Sequence, residues 1–323
     1  MKKIAVLTSG GDAPGMNACI RAVVRTGLYH GLEVIGVRRG YDGLIDGDFL
    51  PMDSHSVSNI IQRGGTILKT ARSERFRTKE GLQIATKKAK EAGIEGFVML
   101  GGDGTFKGAL NFSEASGMPC MGTPCTIDND LFGTDYTIGY DTALNTVIDA
   151  VDKIRDTAAS HNRLFFIEVM GRDAGFIALN GGVGAGAEEI LIPETKTNIK
   201  ELITHLEEGW KRHKSSVIIL VAEGDEEGGA FEIAKKVKEK FNHYDTRVTV
   251  IGHMQRGGSP TCFDRVLASR LGVAATEGLI NNRKNEAAGL VHNQVVFTPF
   301  SEARKHKVDV NEDLIRIARM LSQ

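Results

Sequence analysis

Twice along this chain a short apolar run breaks into a glycine turn that carries an aspartate, and a helical pattern follows. Lys3–Leu7 leads into Thr8-Ser9-Gly10-Gly11-Asp12 and a helix from about Gly15 to Leu28. Phe97–Leu100 leads into Gly101-Gly102-Asp103-Gly104-Thr105 and a helix to about Ser116. Another short strand comes next in each case, Glu33–Val37 after Gly31 and Cys120–Gly122. Strand, turn, helix and strand within so few residues make a βαβ unit with parallel pairing. In open α/β sheets, ligands bind beyond the carboxyl ends of the strands. That rule singles out the glycine turns.

The second half keeps the alternation with different punctuation. A helix is expected over about Thr142–Ala159, with Leu144, Val147, Ile148, Val151 and Ile154 on one face. Strands follow at Leu164–Val169, near Ile190–Ile192 before Pro193, at Val217–Ala222 and at Arg247–Ile251. Helices are expected near Ile199–His213, from about Phe263 and near Glu312–Leu321. No repeat of fixed period and no flexible linker interrupts the pattern, and only the change of motif type near Gly139 marks a boundary.

Composition narrows the field. The 323 residues suffice for two domains, and 40 basic against 41 acidic residues leave a formal net charge of −1, which removes the polycationic surface of a nucleic-acid coat. No apolar run approaches the ~18 residues of a membrane span, so a cytoplasmic protein is expected, with no membrane and no nucleic acid among its partners. Four scattered cysteines build no disulfide framework, and nine histidines show no metal spacing. The 38 glycines are many for this length, which suits backbone that turns tightly or approaches a ligand.

Backbone N–H groups at a helix start suit a phosphate, although Gly10-Gly11-Asp12 matches no standard phosphate loop and reads equally as a plain tight turn. Asp103, among glycines at a strand end, can reach a cation lying between it and phosphates; its bland role is to cap the next helix. In Thr126-Ile127-Asp128-Asn129-Asp130, an extended path after Pro124 would point Thr126, Asp128 and Asp130 one way and Ile127 into the core. One carboxylate could then bind metal and the other take a proton from a hydroxyl; the alternative is a solvated Asx turn. Arg163, Arg172, Arg247, His253 and Arg256 sit at loop positions of successive βα units, where arginine forks suit phosphate dianions. Singly, each reads as a surface ion-pair partner. Glu223 ends an apolar strand, placed either for sugar hydroxyls or as a helix cap.

Taken together, Leu7-Thr8-Ser9-Gly10-Gly11-Asp12 with Pro14-Gly15-Met16-Asn17, Gly101-Gly102-Asp103-Gly104, Thr126-Ile127-Asp128-Asn129-Asp130, Glu168-Val169-Met170-Gly171-Arg172 and Gly252-His253-Met254-Gln255-Arg256-Gly257-Gly258-Ser259-Pro260 closely resemble the bacterial ATP-dependent 6-phosphofructokinases over essentially the whole chain. The resemblance implies two Rossmann-like three-layer α/β domains with mainly parallel sheets: residues 1–138 plus about 254–303 for ATP, and 139–253 plus about 304–323 for fructose 6-phosphate. It implies a glycolytic, allosterically regulated kinase that moves the γ-phosphoryl of MgATP to the sugar's 1-hydroxyl. Asp128 would be the base, Asp103 and Asp130 would hold Mg2+, and Thr126, Arg72, Arg172 and Gly11 would serve the transferring group. Gly11, Tyr41, Arg72, Arg77, Asp103, Gly104, Thr105 and Gly108 match ATP-site positions. Thr126, Asp128, Asp130, Arg163, Met170, Gly171, Arg172, Glu223, Arg247, His253 and Arg256 match sugar-phosphate positions, with Arg163 and Arg247 reaching across a subunit interface in a homotetramer. Arg21, Arg25, Arg155, Glu188, Arg212 and Lys214 match an effector site for ADP and phosphoenolpyruvate.

Several residues depart from the family pattern. Cys125 stands where ATP users carry glycine and pyrophosphate users lysine, so its sulfur is expected to crowd the phosphates, whereas Gly104 favours ATP over pyrophosphate. Phe176 replaces an aspartate, Ser73-Glu74 a residue–proline pair, and Ser54 and Ser215-Ser216 basic residues of some relatives. These leave two alternatives open: a pyrophosphate-dependent phosphofructokinase and a non-catalytic nucleotide or sugar-phosphate sensor. A dinucleotide-dependent dehydrogenase fits less well, because Gly-x-Gly-x-x-Gly does not follow the first strand.

Overall fold

The computed structural model describes residues 1–305 and 311–321. In chain order the elements are β1 (Lys3–Thr8), α1 (Met16–Tyr29), β2 (Glu33–Val37), α2 (Gly40–Asp46), β3 (Phe49–Met52), α3 (Lys79–Glu91), β4 (Gly96–Gly101), α4 (Asp103–Ser116) and β5 (Cys120–Pro124). There follow α5 (Tyr140–Ala159), β6 (Arg163–Val169), α6 (Phe176–Ala185), β7 (Glu189–Leu191), α7 (Ile199–Lys211), β8 (Ser216–Ala222), α8 (Ala230–Lys238) and β9 (Asp245–Val250). The chain closes with α9 (Cys262–Ile280), β10 (Glu286–Val291), β11 (Gln294–Pro299) and α10 (Glu312–Leu321). Two compact units result: unit 1 is Met1–Thr142 with Arg256–His306, and unit 2 is Ala143–Gln255 with Lys307–Gln323. Of the stretch 304–323, residues 306–310 and 322–323 lie outside the described residues.

Unit 1 holds a seven-stranded sheet in the order β11-β10-β5-β4-β1-β2-β3. Its five inner strands are parallel, and the edge strands β3 and β11 run antiparallel to their neighbours. Side chains alternate between faces along a strand, and here both faces are apolar. Ile4, Val6, Val98 and Leu100 join one buried cluster with residues of α1 and α9. Ala5, Leu7, Phe97 and Met99 join another with residues of α2, α3 and α4. Helices thus cover both faces, as parallel sheets require. The β10–β11 hairpin turns at His292-Asn293, both in the left-handed region (φ 48° and 62°), the two-residue turn whose twist matches that of the strands.

Unit 2 is an all-parallel sheet in the order β7-β8-β6-β9. Leu164, Phe166, Val217, Ile219 and Val221 face α7 and α8. On the other side a Cβ on Gly181 of α6 would stand 3.1 Å from Val147 of α5 and 3.8 Å from Leu220 of β8, ordinary to tight packing.

The alternation read from the sequence is the one observed, an α/β fold with mainly parallel sheets. No helix among the described residues is long and apolar enough to cross a membrane.

Candidate active site

Unit 1 brings its two glycine turns side by side, because β1 and β4 are neighbours and Ser9 N donates to Leu100 O at 3.0 Å. Gly10 has φ 87°, and its carbonyl accepts from Thr70 Oγ1 at 2.8 Å. Gly11 lies close to Arg256: a Cβ there would stand 2.6 Å from Nη1, which donates to Asp12 O at 3.0 Å, so the guanidinium would have to shift. Thr105 is buried and donates to Ser9 O at 3.1 Å. Tyr41 is buried too, its hydroxyl on Thr105 O at 2.5 Å and its ring stacked on Phe76 at 4.0 Å. Gly108 makes room for that ring, since a Cβ would come within 2.8 Å of it. Tyr41 and Gly108 thus shape an internal wall.

Asp103 opens α4 without capping it. The N-cap is Gly102, with no side-chain cap; Asp103 Oδ2 instead accepts from Lys107 Nζ at 2.6 Å and Oδ1 from the Lys305 backbone N–H at 3.3 Å. The helix-cap alternative is therefore set aside. Next to it Gly104 is exposed, and a Cβ would meet nothing within 4 Å. Arg72 and Arg77 are exposed, Arg77 paired with Glu74 at 3.1 Å.

The segment after β5 corrects two expectations. It does not run extended from Thr126 to Asp130: the chain bends at Ile127-Asp128, and Asn129 adopts φ 52°. Asn129 holds the bend, its Oδ1 accepting from Thr137 N at 2.7 Å and its Nδ2 donating to Asp135 O at 3.2 Å, while Thr137 Oγ1 donates to Thr126 O at 2.6 Å. Ile127 still enters the core, and Asp128 and Asp130 are both buried, at 3% and 6% exposure. The Cys125 sulfur does not crowd the mouth of the turn either. Cys125 is 1% exposed, with Sγ 3.8 Å from Thr123 Oγ1, which lies 3.5 Å from Cys19 Sγ. Burial, and next the neighbouring Cys19, push its thiol well above the usual range.

Burial and the charge of Asp128 raise the Asp130 carboxyl above its ordinary value, while Lys305, its Nζ 3.5 Å from Asp130 Oδ2, pulls it down. Asp103 and Asp130 are thus tied to the same lysine. Among the described residues no group of three or more His, Cys, Asp or Glu side chains is arranged to hold a metal.

Unit 2 forms its own constellation at the ends of β6 and β8. Arg172 is exposed at φ 55°, and Glu223 Oε1 accepts from Gly171 N at 3.2 Å and Arg172 N at 2.8 Å. Glu223 caps a turn, not a helix. Met170 N donates to the fully buried Gln255 Oε1 at 3.3 Å, and Gln255 Nε2 donates to Gly252 O at 3.1 Å. His253 is exposed on a 3-10 turn spanning Gly252–Arg256. Arg163 and Arg247 converge on one carboxylate, Asp245, at 3.5 and 2.7 Å. Around Glu188 gather Arg155, at 3.8 Å, and Lys214, at 3.4 Å, while Arg155 Nη2 also donates to the carbonyls of Ala185 and Gly186 at 2.7 Å. Arg212, Lys214 and Glu188 line a cavity of about 620 Å³. Arg21 and Arg25 lie on α1 in unit 1, where burial and then the Arg25 charge lower the Arg21 pKa.

Two residues of these sites escape a reading by motif. Gln255 lies inside a quoted motif, but its linking of the two turns has no local signal. Lys305 stands in the basic run Arg304-Lys305-His306-Lys307, which reads as a solvated stretch.

Comparison with known proteins decides the family. The phosphofructokinase family profile matches residues 3–279. The chain belongs to the phosphofructokinase family. An ATP-dependent 6-phosphofructokinase 2 of Bacteroides thetaiotaomicron is 54% identical over 322 residues, covering 100% of this chain and 99% of that one. An ATP-dependent 6-phosphofructokinase 1 of Thermus thermophilus is 55% identical, covering 100% of both. Among solved structures, a phosphofructokinase of Saccharomyces cerevisiae superposes with a TM-score of 0.89 at 35% identity, covering all of this chain and 48% of the yeast chain. This phosphofructokinase chain therefore spans about half the yeast one.

Proposed function

We propose that the protein is an ATP-dependent 6-phosphofructokinase, transferring the γ-phosphoryl of MgATP to the 1-hydroxyl of fructose 6-phosphate and releasing fructose 1,6-bisphosphate and ADP. The observation that carries the reading is that Lys305 contacts both Asp103 and Asp130, with the charge of Asp128 acting on Asp130, in a chain that matches proteins of that activity end to end.

Asp128 accepts the hydroxyl proton as the sugar oxygen bonds to the γ-phosphorus and the bond to the β-bridging oxygen breaks. Asp103 and Asp130 offer hard oxygen donors to Mg2+, which is ordinarily held by one or two carboxylates together with substrate phosphates. When bound, Mg2+ neutralises charge developing on the phosphate oxygens. Thr126, Arg72 and Arg172 hold the outer oxygens of the transferring group, and Gly11 lets backbone approach it. Gly104 and Thr105 place the α4 N-terminus against the nucleotide phosphates. Tyr41 and Gly108 support that wall, and Arg77 lies at its edge. Met170, Gly171, Arg172, Glu223, His253, Arg256, Arg163 and Arg247 bind the sugar phosphate, the last two from a neighbouring subunit of a cytoplasmic homotetramer. Arg21, Arg25, Arg155, Glu188, Arg212 and Lys214 take an ADP- or phosphoenolpyruvate-like effector.

A coupled assay of fructose 1,6-bisphosphate formation tests the reading. Turnover is expected with MgATP and little with pyrophosphate. Equal or faster turnover with pyrophosphate would overturn the donor, and ligand binding without product would make the chain a sensor.

A further inference from the structure

Lys305 reaches the acidic cluster in two ways at once. Its backbone N–H donates to Asp103 Oδ1 at 3.3 Å, and its Nζ lies 3.5 Å from Asp130 Oδ2. The strand-like pairing of Leu131 with Lys305 and the bond from Phe132 N to Arg304 O at 3.1 Å fix the backbone that carries it. An ion pair between two exposed side chains contributes little. This pair differs, because the Asp130 side chain is only 8% exposed and that of Lys305 31%. Asp128, two residues before Asp130, is also buried, so a cation here offsets two crowded carboxylates.

We propose that Lys305 is a positioning residue of the phosphoryl-transfer site, fixing the Asp130 carboxylate and limiting the negative charge that an incoming nucleotide meets. This rests on the kinase reading above. Lys305 touches no reacting atom; it acts through Asp130. Removing its ammonium leaves the cluster more negative, so a divalent cation binds more tightly and a metal-free polyphosphate less tightly. It also releases Asp130 from its fixed place, which slows turnover.

The test compares full-length wild type with Lys305→Met and Lys305→Arg, measuring binding of Mn2+ alone, binding of ATP in chelator and steady-state kinetics. Lys305→Met is expected to bind Mn2+ about three- to tenfold more tightly and metal-free ATP at least about threefold less tightly, with kcat down about tenfold. Its KM for fructose 6-phosphate should stay within about twofold, and Lys305→Arg should restore all readings. Unchanged affinities and kcat in Lys305→Met would overturn the proposal, as would a fall in kcat that Arg does not rescue. Should Lys305→Met fail to fold, Lys305→Gln takes its place in the same measurements. A wild type that binds both ligands but makes no product would defeat the kinase reading, and the two binding measurements would still decide the role of Lys305.

Discussion

Cys125 adjoins Thr126, yet its sulfur faces Cys19 and Thr123 in the core of unit 1. Its chemistry therefore belongs to stability. Cys125→Ser should bury a hydroxyl less well matched to that pocket and cost about 1–3 kcal/mol, seen as a lower thermal midpoint, with KM for ATP unchanged. A raised KM at an unchanged midpoint would put the sulfur against the nucleotide. Asp128 should behave in the opposite way. Asp128→Asn keeps the shape but removes the proposed base, so kcat should fall by about 10²–10⁴ while both KM values stay within a few fold; an undiminished kcat would strip Asp128 of that role. The sequence made the identity of such residues readable and their orientation much less so. The residue types of Thr126–Asp130 point to phosphoryl chemistry, but whether the strand continued through them depended on Asn129 taking φ 52° and on Thr137, eight residues later. Ser73, one of the departures, has a local account as well: it accepts from Phe76 N at 3.1 Å and bonds Asp42, starting the turn that precedes α3.

At the scale of elements, the start of α5 is held from α9. Asp264, fully buried, accepts from Gly139 N at 2.9 Å, Thr142 N at 2.8 Å and Thr142 Oγ1 at 2.5 Å. Burial holds its carboxyl above the ordinary value, and these hydrogen bonds offset the rise only in part. The folded chain thus keeps that proton to higher pH than the unfolded chain. Whatever the group contributes to stability is complete below the unfolded value near ~3.9 and shrinks as pH rises through the raised one. The melting temperature of Asp264→Asn should accordingly gain on wild type between about pH 4 and pH 7; a gap that does not move with pH would refute the raised pKa. A second element-scale test concerns the turn between β6 and α6. Glu223→Ala removes the acceptor of the Gly171 and Arg172 N–H groups, so it should raise KM for fructose 6-phosphate about tenfold or more, with KM for ATP unmoved. The elements that were read, such as β1, β4, α5 and α7, were legible because parallel strands bury both faces and their helices show one apolar stripe. Helices α3 and α8 also bury one face but were not read. The elements that no pattern announced have physical reasons for silence. Helix α6 carries three glycines and no polar face, α2 is only seven residues long, and β11 is a half-buried edge strand.

At the scale of the molecule, the proposed sites require neighbours. Arg163 and Arg247 are held at the edge of the unit 2 sheet by a single Asp245, two guanidinium groups on one carboxylate, leaving net positive charge for an anion. Sedimentation at micromolar concentration is expected to give a homotetramer, and Arg163→Ser should raise KM for fructose 6-phosphate with the tetramer intact. A monomeric wild type that is fully active would overturn the shared site.

The chain leaves unit 1 after Thr142, re-enters it at Arg256 and departs again after His306. Neither unit is one continuous stretch of polypeptide. A gene fragment cut at any single point would deprive unit 1 of β10 and β11 or unit 2 of α10, so this enzyme is not a mosaic from which a nucleotide module could be borrowed by simple fusion. Its two halves must be inherited, expressed and improved together.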